Sequence, residues 1–148
     1  MGHIVFFGRT PISRSSKKQR SLAQSSTEAE YKAVASTAAE LIWLQNLLHE
    51  LGVTLPSVPV IYCDNLGATY LSANPVFHSR MKHLALAFHF VREQVQRGVM
   101  RVTHVRTGDQ LADVLTKPLS RARFDLLLSK IGLSSWSSIL RGHVKDKP

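Results

Sequence analysis

Between Ser26 and Leu51 the chain has neither glycine nor proline, and Val34, Ala38, Leu41, Leu44, Leu48 and Leu51 recur at helical intervals. That period gathers them on one stripe of an amphipathic α-helix. Ser25 and Glu28 have the S-x-x-E spacing of a capping box at its start. Gly52 stands just past its end, where a left-handed cap residue belongs. Ahead of this helix, His3 to Phe7 is a short β-prone run closed by Gly8. Ile12 to Leu22 alternates loosely among Ser, Lys and Arg, as a hairpin partner with one wet, basic face would. Behind it, Val58 to Tyr62 is a short apolar run between proline and Asp64, the pattern of a buried strand. A short helix is expected from Asn65 to Ser72, before the Asn74-Pro75 break, and a longer one from about Met81 to Arg97, stopped by Gly98. Val99 to Val105 reads as a strand. Gln110 to Thr116 and Ser120 to Ile131 read as helices ended by Pro118 and Gly132. This order predicts an α/β domain with a mixed sheet. Ser134 to Pro148 shows no periodicity and is expected to be a flexible tail.

Composition narrows the classes. The chain has 148 residues, 44% of them hydrophobic, enough for one domain with its own core and too apolar for whole-chain disorder. No apolar run approaches the length of a membrane span, and the N-terminus lacks the basic-then-apolar pattern of a signal peptide. The lone cysteine, Cys63, excludes an internal disulfide and a Cys-rich zinc site. It fits a reducing compartment, so the expected location is intracellular, cytoplasmic or nuclear. Lys and Arg number 19 against 10 Asp and Glu, a formal charge of +9. Such a surplus attracts polyanions, nucleic acid first, although a merely solvated basic surface gives the same number.

Three carboxylates stand where a fold can present them to a common point: Glu28 in the first turn of the long helix, Asp64 just past a buried strand, and Asp113 in the short helix after the last strand. Oxygen ligands of this kind suit Mg²⁺ or Mn²⁺. Each also has an ordinary reading. Glu28 completes a capping box, Asp64 opens a turn with Asn65, and Asp113 pairs with Lys117 while Asp109 caps the helix. His104 precedes the loop leading to Asp113 and could carry protons, or be a plain strand residue. His78, His83 and His89 lack i, i+4 zinc-ligand spacing with a third ligand in view. The groups Lys17, Lys18, Arg20 and Arg80, Lys82, Arg92 could track a phosphate backbone or face water.

The words of the sequence go further than its pattern. SSKKQRSLAQSSTEAEYKAVASTAAELIWLQNLL from Ser15 to Leu48 closely resembles the RNase H signature of copia-type LTR-retrotransposon Pol polyproteins. So do IYCDNLGATYLSANPVFHSRMKH from Ile61, HFVREQV from His89, GDQLADVLTKPL from Gly108 and the closing LRGHVKD from Leu140. The resemblance implies an RNase H fold, a five-stranded mixed sheet flanked by helices. It implies a metal-dependent endonuclease that cuts RNA in an RNA–DNA hybrid, using acidic residues around two Mg²⁺ ions, with Mn²⁺ as a substitute. By motif the metal-holding and catalytic set is Glu28, Asp64 and Asp113. Glu30 is the alternative to Glu28, which is preferred because small and apolar core positions follow it one turn later. His104 is the expected proton carrier. Lys17, Lys18, Arg20, Asn65, Arg80 and Lys82 are the expected nucleic-acid contacts.

The chain also departs from that pattern. The family's first aspartate lies in a D-x-D-W-A-G-like word on its first strand, and no such word occurs here. The expectation is therefore an RNase H-like domain over residues 1–133 whose sheet lacks the family's first, central strand, with activity impaired accordingly. A partner strand or a second copy would then complete the sheet. Arg14 replaces the usual tryptophan of an ISW word, and Ala85 and Ala87 stand where acidic residues commonly follow the Lys-His pair. A catalytically silent, basic nucleic-acid- or protein-binding remnant is the alternative function.

Overall fold

A computed structural model describes residues 1–19, 25–74, 82 and 84–133. The long apolar stripe forms helix α1, Ser26–Glu50. The Ser25 hydroxyl accepts the Glu28 amide at 3.1 Å, satisfying one of the orphan N–H groups of the first turn. At the other end Gly52 adopts φ 74°, the left-handed geometry that lets its own amide and that of Val53 return to the carbonyls of His49 and Leu48. The stripe is buried only along its first half, at Tyr31, Val34 and Ala38. Leu41, Leu44 and Leu48 are half-buried and Leu51 is 69% exposed, so the predicted apolar face outruns the core that covers it among the described residues.

Two strands precede α1. Strands β1 (Gly2–Phe7) and β2 (Thr10–Ser16) pair antiparallel, with Gly2 opposite Ser16, Val5 opposite Ser13, and an irregularity between Val5 and Phe6. The turn between them uses Gly8 at φ 62°. β2 is mostly exposed, the wet face expected of it. After α1 come strand β3 (Val60–Cys63), helix α2 (Leu66–Ala73), helix α3 (Ala85–Gln96) and strand β4 (Arg101–His104). A 3₁₀ turn at Thr107–Asp109 leads to helices α4 (Asp113–Thr116) and α5 (Arg121–Ile131). α2 is capped by Asn65 and α5 by Ser120, and Gly132 closes α5 at φ 84°. The helix expected over Gln110–Thr116 is shorter and begins at Asp113. The predicted tail, 134–148, lies outside the described residues.

The single mixed sheet expected from the order of elements does not form among the described residues. β3 and β4 pair parallel, with Val60 opposite Arg101 and Cys63 opposite His104, in a sheet separate from the β1–β2 hairpin. Both kinds of pairing are present, in two small sheets flanked by helices. A groove separates the two pairs among the described residues. The edges of β1 and β3 face a groove of about 410 Å³ whose walls include Ile4, Val5, Val60 and Ile61, and whose floor is the Val34–Leu41 face of α1. Each edge strand keeps only its single described neighbour.

The core holds α1 against α2, α3 and the β3–β4 pair through Tyr31, Val34, Ile61, Leu71, Phe88 and Met100. The Tyr31 hydroxyl donates to the Phe88 carbonyl at 3.3 Å, and the two rings lie 6.2 Å apart. Burial pushes the Tyr31 phenol up to about 12. Gly67 permits a close approach of α2 to the first turn of α1. A Cβ there would lie 2.9 Å from both Cγ2 and Oγ1 of Thr27. Gly67→Ala is therefore expected to lose about 1 kcal/mol in urea unfolding, overpacking outweighing the better helix propensity of alanine. In a double-mutant cycle Thr27→Ala should recover most of that loss, and additive penalties would show that the contact is not the cause.

No helix among the described residues is long and apolar enough to cross a membrane.

Candidate functional site

The alternation of β3 sends Ile61 and Cys63 inward and leaves Tyr62 61% exposed. Asp64 follows at the carboxyl end of the strand. Asn65 then turns the chain into α2, its side-chain oxygen accepting the Ala68 amide at 2.9 Å. That cap, together with the close Gly67–Thr27 approach, seats the β3–α2 corner on the first turn of α1. Asp64 is thereby brought to Glu30: the ligand atoms of Glu30, Cys63 and Asp64 all lie within 4.8 Å of one another.

The third carboxylate arrives from α4. Asp113 is 7% exposed, and the Lys117 ammonium, one turn on, lies 2.9 Å from its Oδ1. The same ammonium is 3.8 Å from Oδ2 of Asp64. Three carboxylates from α1, the end of β3 and α4 thus share one locality with one lysine.

The electrostatics fit that picture. Burial, and then the charge of Asp64, hold the Glu30 carboxyl above its ordinary range, with Asp113 adding to the effect and Lys117 opposing it. The hydrogen bond to Asp113 is the main cause that raises the Lys117 ammonium. Burial raises the Cys63 thiol, whose sulfur donates to the Asn65 carbonyl at 3.7 Å. The carboxylate oxygens of Glu30 and Asp64 are the hard donors that the cluster offers a cation. Such a set fits Mg²⁺ or Mn²⁺ better than a soft metal. The presence of an ammonium among them shows that the cluster has a place for positive charge.

The helix glutamate that meets the aspartates is Glu30, not the preferred Glu28. Glu28 is 2% exposed and accepts the Lys32 ammonium at 2.9 Å, while its amide is capped by Ser25. The reason is helical geometry. Two residues turn the side chain by about 200° around a helix of 3.6 residues per turn. Glu30 shares the groove-facing side of α1 with Val34, Thr37 and Leu41. Glu28 shares the other flank with Lys32. That arithmetic separates the two glutamates in the sequence, but the rotation of α1 against the end of β3 decides which of them faces Asp64. Lys117 was visible only as the partner of Asp113, since nothing in linear spacing ties it to Asp64.

Of the remaining expected residues, His104 is exposed at the end of β4, register partner of Cys63. Lys17, Lys18 and Lys82 are exposed. Asn65 is engaged as the α2 cap. Arg20 and Arg80 lie outside the described residues.

No family model matches the chain, and no solved structure matches it. Curated proteins do. The chain is 62% identical over 133 residues to the retrovirus-related Pol polyprotein from transposon RE1 of Arabidopsis thaliana. It is 64% identical over 132 residues to that from transposon RE2 of the same plant. To the retrovirus-related Pol polyprotein from transposon TNT 1-94 of Nicotiana tabacum it is 39% identical over 134 residues. These alignments take in 89–90% of this chain but only 9–10% of each relative. In sequence, the chain is therefore a counterpart of one segment, about a tenth of the length, of the retrovirus-related Pol polyproteins of plant transposons.

Proposed function

We propose that this chain is the ribonuclease H unit of a copia-type Pol polyprotein, with an RNase H-like fold, acting on the RNA strand of RNA–DNA hybrids. The observation that carries the reading is the convergence of Glu30, Asp64 and Asp113 from three elements far apart in sequence. Burial and the charge of Asp64 raise the proton affinity of Glu30, a repulsion that a bound cation would offset.

In this reading Glu30, Asp64 and Asp113 hold a pair of Mg²⁺ or Mn²⁺ ions. When bound, such ions supply charge neutralisation at the scissile phosphate and an acidified water. The carboxylates themselves orient the site, and the buried wall of Cys63 and Ile61 keeps bulk water from its inner side. Exposed His104 exchanges the proton with solvent. Lys17, Lys18 and Lys82, with the overall surplus of cationic groups, attract the hybrid, which is recognised by groove shape and 2′-hydroxyls and not by base sequence. The family's D-x-D-W-A-G-like word does not occur here, so its aspartate adds no further ligand and slow cleavage is expected. The open edges of β1 and β3 suit an added strand, donated by the rest of a polyprotein or by a second copy, with main-chain hydrogen bonds on both sides.

The test is cleavage of an end-labelled RNA–DNA hybrid in Mg²⁺ and in Mn²⁺, beside Asp64→Asn. Slow, Mn²⁺-favoured cleavage that vanishes in Asp64→Asn is expected. Hybrid binding that weakens with salt, with no cleavage in either metal, would instead establish the second reading, a silent basic module, which the charge of +9 favours.

A further inference from the structure

We infer that Lys117 is a built-in counter-ion of the carboxylate cluster, which a divalent cation has to displace, so that this side chain sets the metal affinity of the site. The inference rests on the reading of Glu30, Asp64 and Asp113 as the metal-holding set.

Its basis is the placement of the lysine. Lys117 ends α4, and its amide donates to the Asp113 carbonyl at 3.0 Å. Pro118 follows, and a residue before proline is steered away from helical backbone. Lys117 accordingly takes φ −117° and ψ 143°, and the helix stops there. From that position the ammonium lies 2.9 Å and 3.1 Å from the two oxygens of Asp113 and 3.8 Å from Oδ2 of Asp64. An ordinary i, i+4 pair serves one carboxylate on its own helix. This one spans two, from different parts of the chain.

Mobility separates the partners. The side chains of Asp113 and Asp64 are 10% and 12% exposed, whereas that of Lys117 is 46% exposed. The cation can swing into water on its flexible stem, while the anions stay where packing holds them. Mg²⁺ or Mn²⁺ binds carboxylate oxygens at about 2.0–2.2 Å. An ammonium on the same oxygens would crowd and repel it, so the two occupancies exclude each other. Without metal, Lys117 offsets the mutual repulsion of the carboxylates. With metal, its departure is part of the cost of binding.

The experiment is Mn²⁺ binding to the full chain, followed by the electron paramagnetic resonance signal of free Mn²⁺ and by calorimetry. Lys117→Met is expected to tighten Mn²⁺ binding about tenfold, the size of one charge-assisted hydrogen bond removed from the competition. Lys117→Arg should keep the weaker wild-type affinity. In EDTA, Lys117→Met should melt below wild type and gain more on saturation with Mn²⁺. Unchanged or weaker binding in Lys117→Met, while Asp64→Asn abolishes binding, would overturn the role of Lys117 and leave the metal site standing. Binding that survives Asp64→Asn undiminished would place the ion elsewhere and overturn both.

Discussion

Glu30→Gln is expected to lower Mn²⁺-dependent hybrid cleavage by about a hundredfold, the usual scale for removing one charged group from a preorganised site. Glu28→Gln, two positions away, is expected to leave cleavage within about threefold, because its carboxylate points to the other flank of α1. The costs should exchange places in a melting experiment. Glu28→Gln breaks a nearly buried ion pair with Lys32, whose side chain is 21% exposed, and should cost about 1 kcal/mol after solvent screening. Glu30→Gln removes a charge held against Asp64, so the metal-free protein should melt no lower than wild type and should lose its response to Mn²⁺. Equal loss of cleavage in both variants would remove Glu30 from its proposed role. Where cleavage is too slow to follow, calorimetric Mn²⁺ binding reads the same contrast.

Phe88→Ala should have the largest effect on stability, a loss of about 3–5 kcal/mol, typical of deleting a buried aromatic ring. The ring is 2% exposed, lies 6.2 Å from that of Tyr31, and carries the Arg92 guanidinium 5.7 Å from its centroid. It joins α3 to α1 along the stretch of the long helix that the described residues bury best. Domains of this size have about 5–15 kcal/mol in total, so this one substitution should remove a large share of the stability. A urea or thermal melt compared with Leu86→Ala, whose side chain is 89% exposed, gives the contrast. A loss below 1 kcal/mol in Phe88→Ala would mean that this junction does not hold the fold together.

The elements were legible because their signals are local. Ser25 with Glu28, Asn65 with Ala68 and Ser120 with Arg123 are capping contacts within three residues, and the caps at Gly52, Gly98 and Gly132 answer to backbone conformation alone. The burial of Ile61 and Cys63 with Tyr62 outward follows from strand alternation. The extent of the apolar stripe on α1 did not translate into burial. Leu51 is periodic with Val34 and Ala38, yet no described element covers it.

The amino-acid sequence by itself determined which segments are helix and strand, the basic balance of the chain, and that Asp64 and Asp113 stand at element ends where they could meet. Periodicity, capping and charge depend on near neighbours along the chain and can be read in one dimension. Only the tertiary structure decided that the strands form two small sheets with a groove between β1 and β3, that Glu30 and not Glu28 faces Asp64, and that Lys117 bridges Asp64 and Asp113. Those outcomes depend on how α1 is rotated about its axis and on which edges lie side by side. Packing of side chains distant in sequence settles both, and no spacing along the chain encodes it.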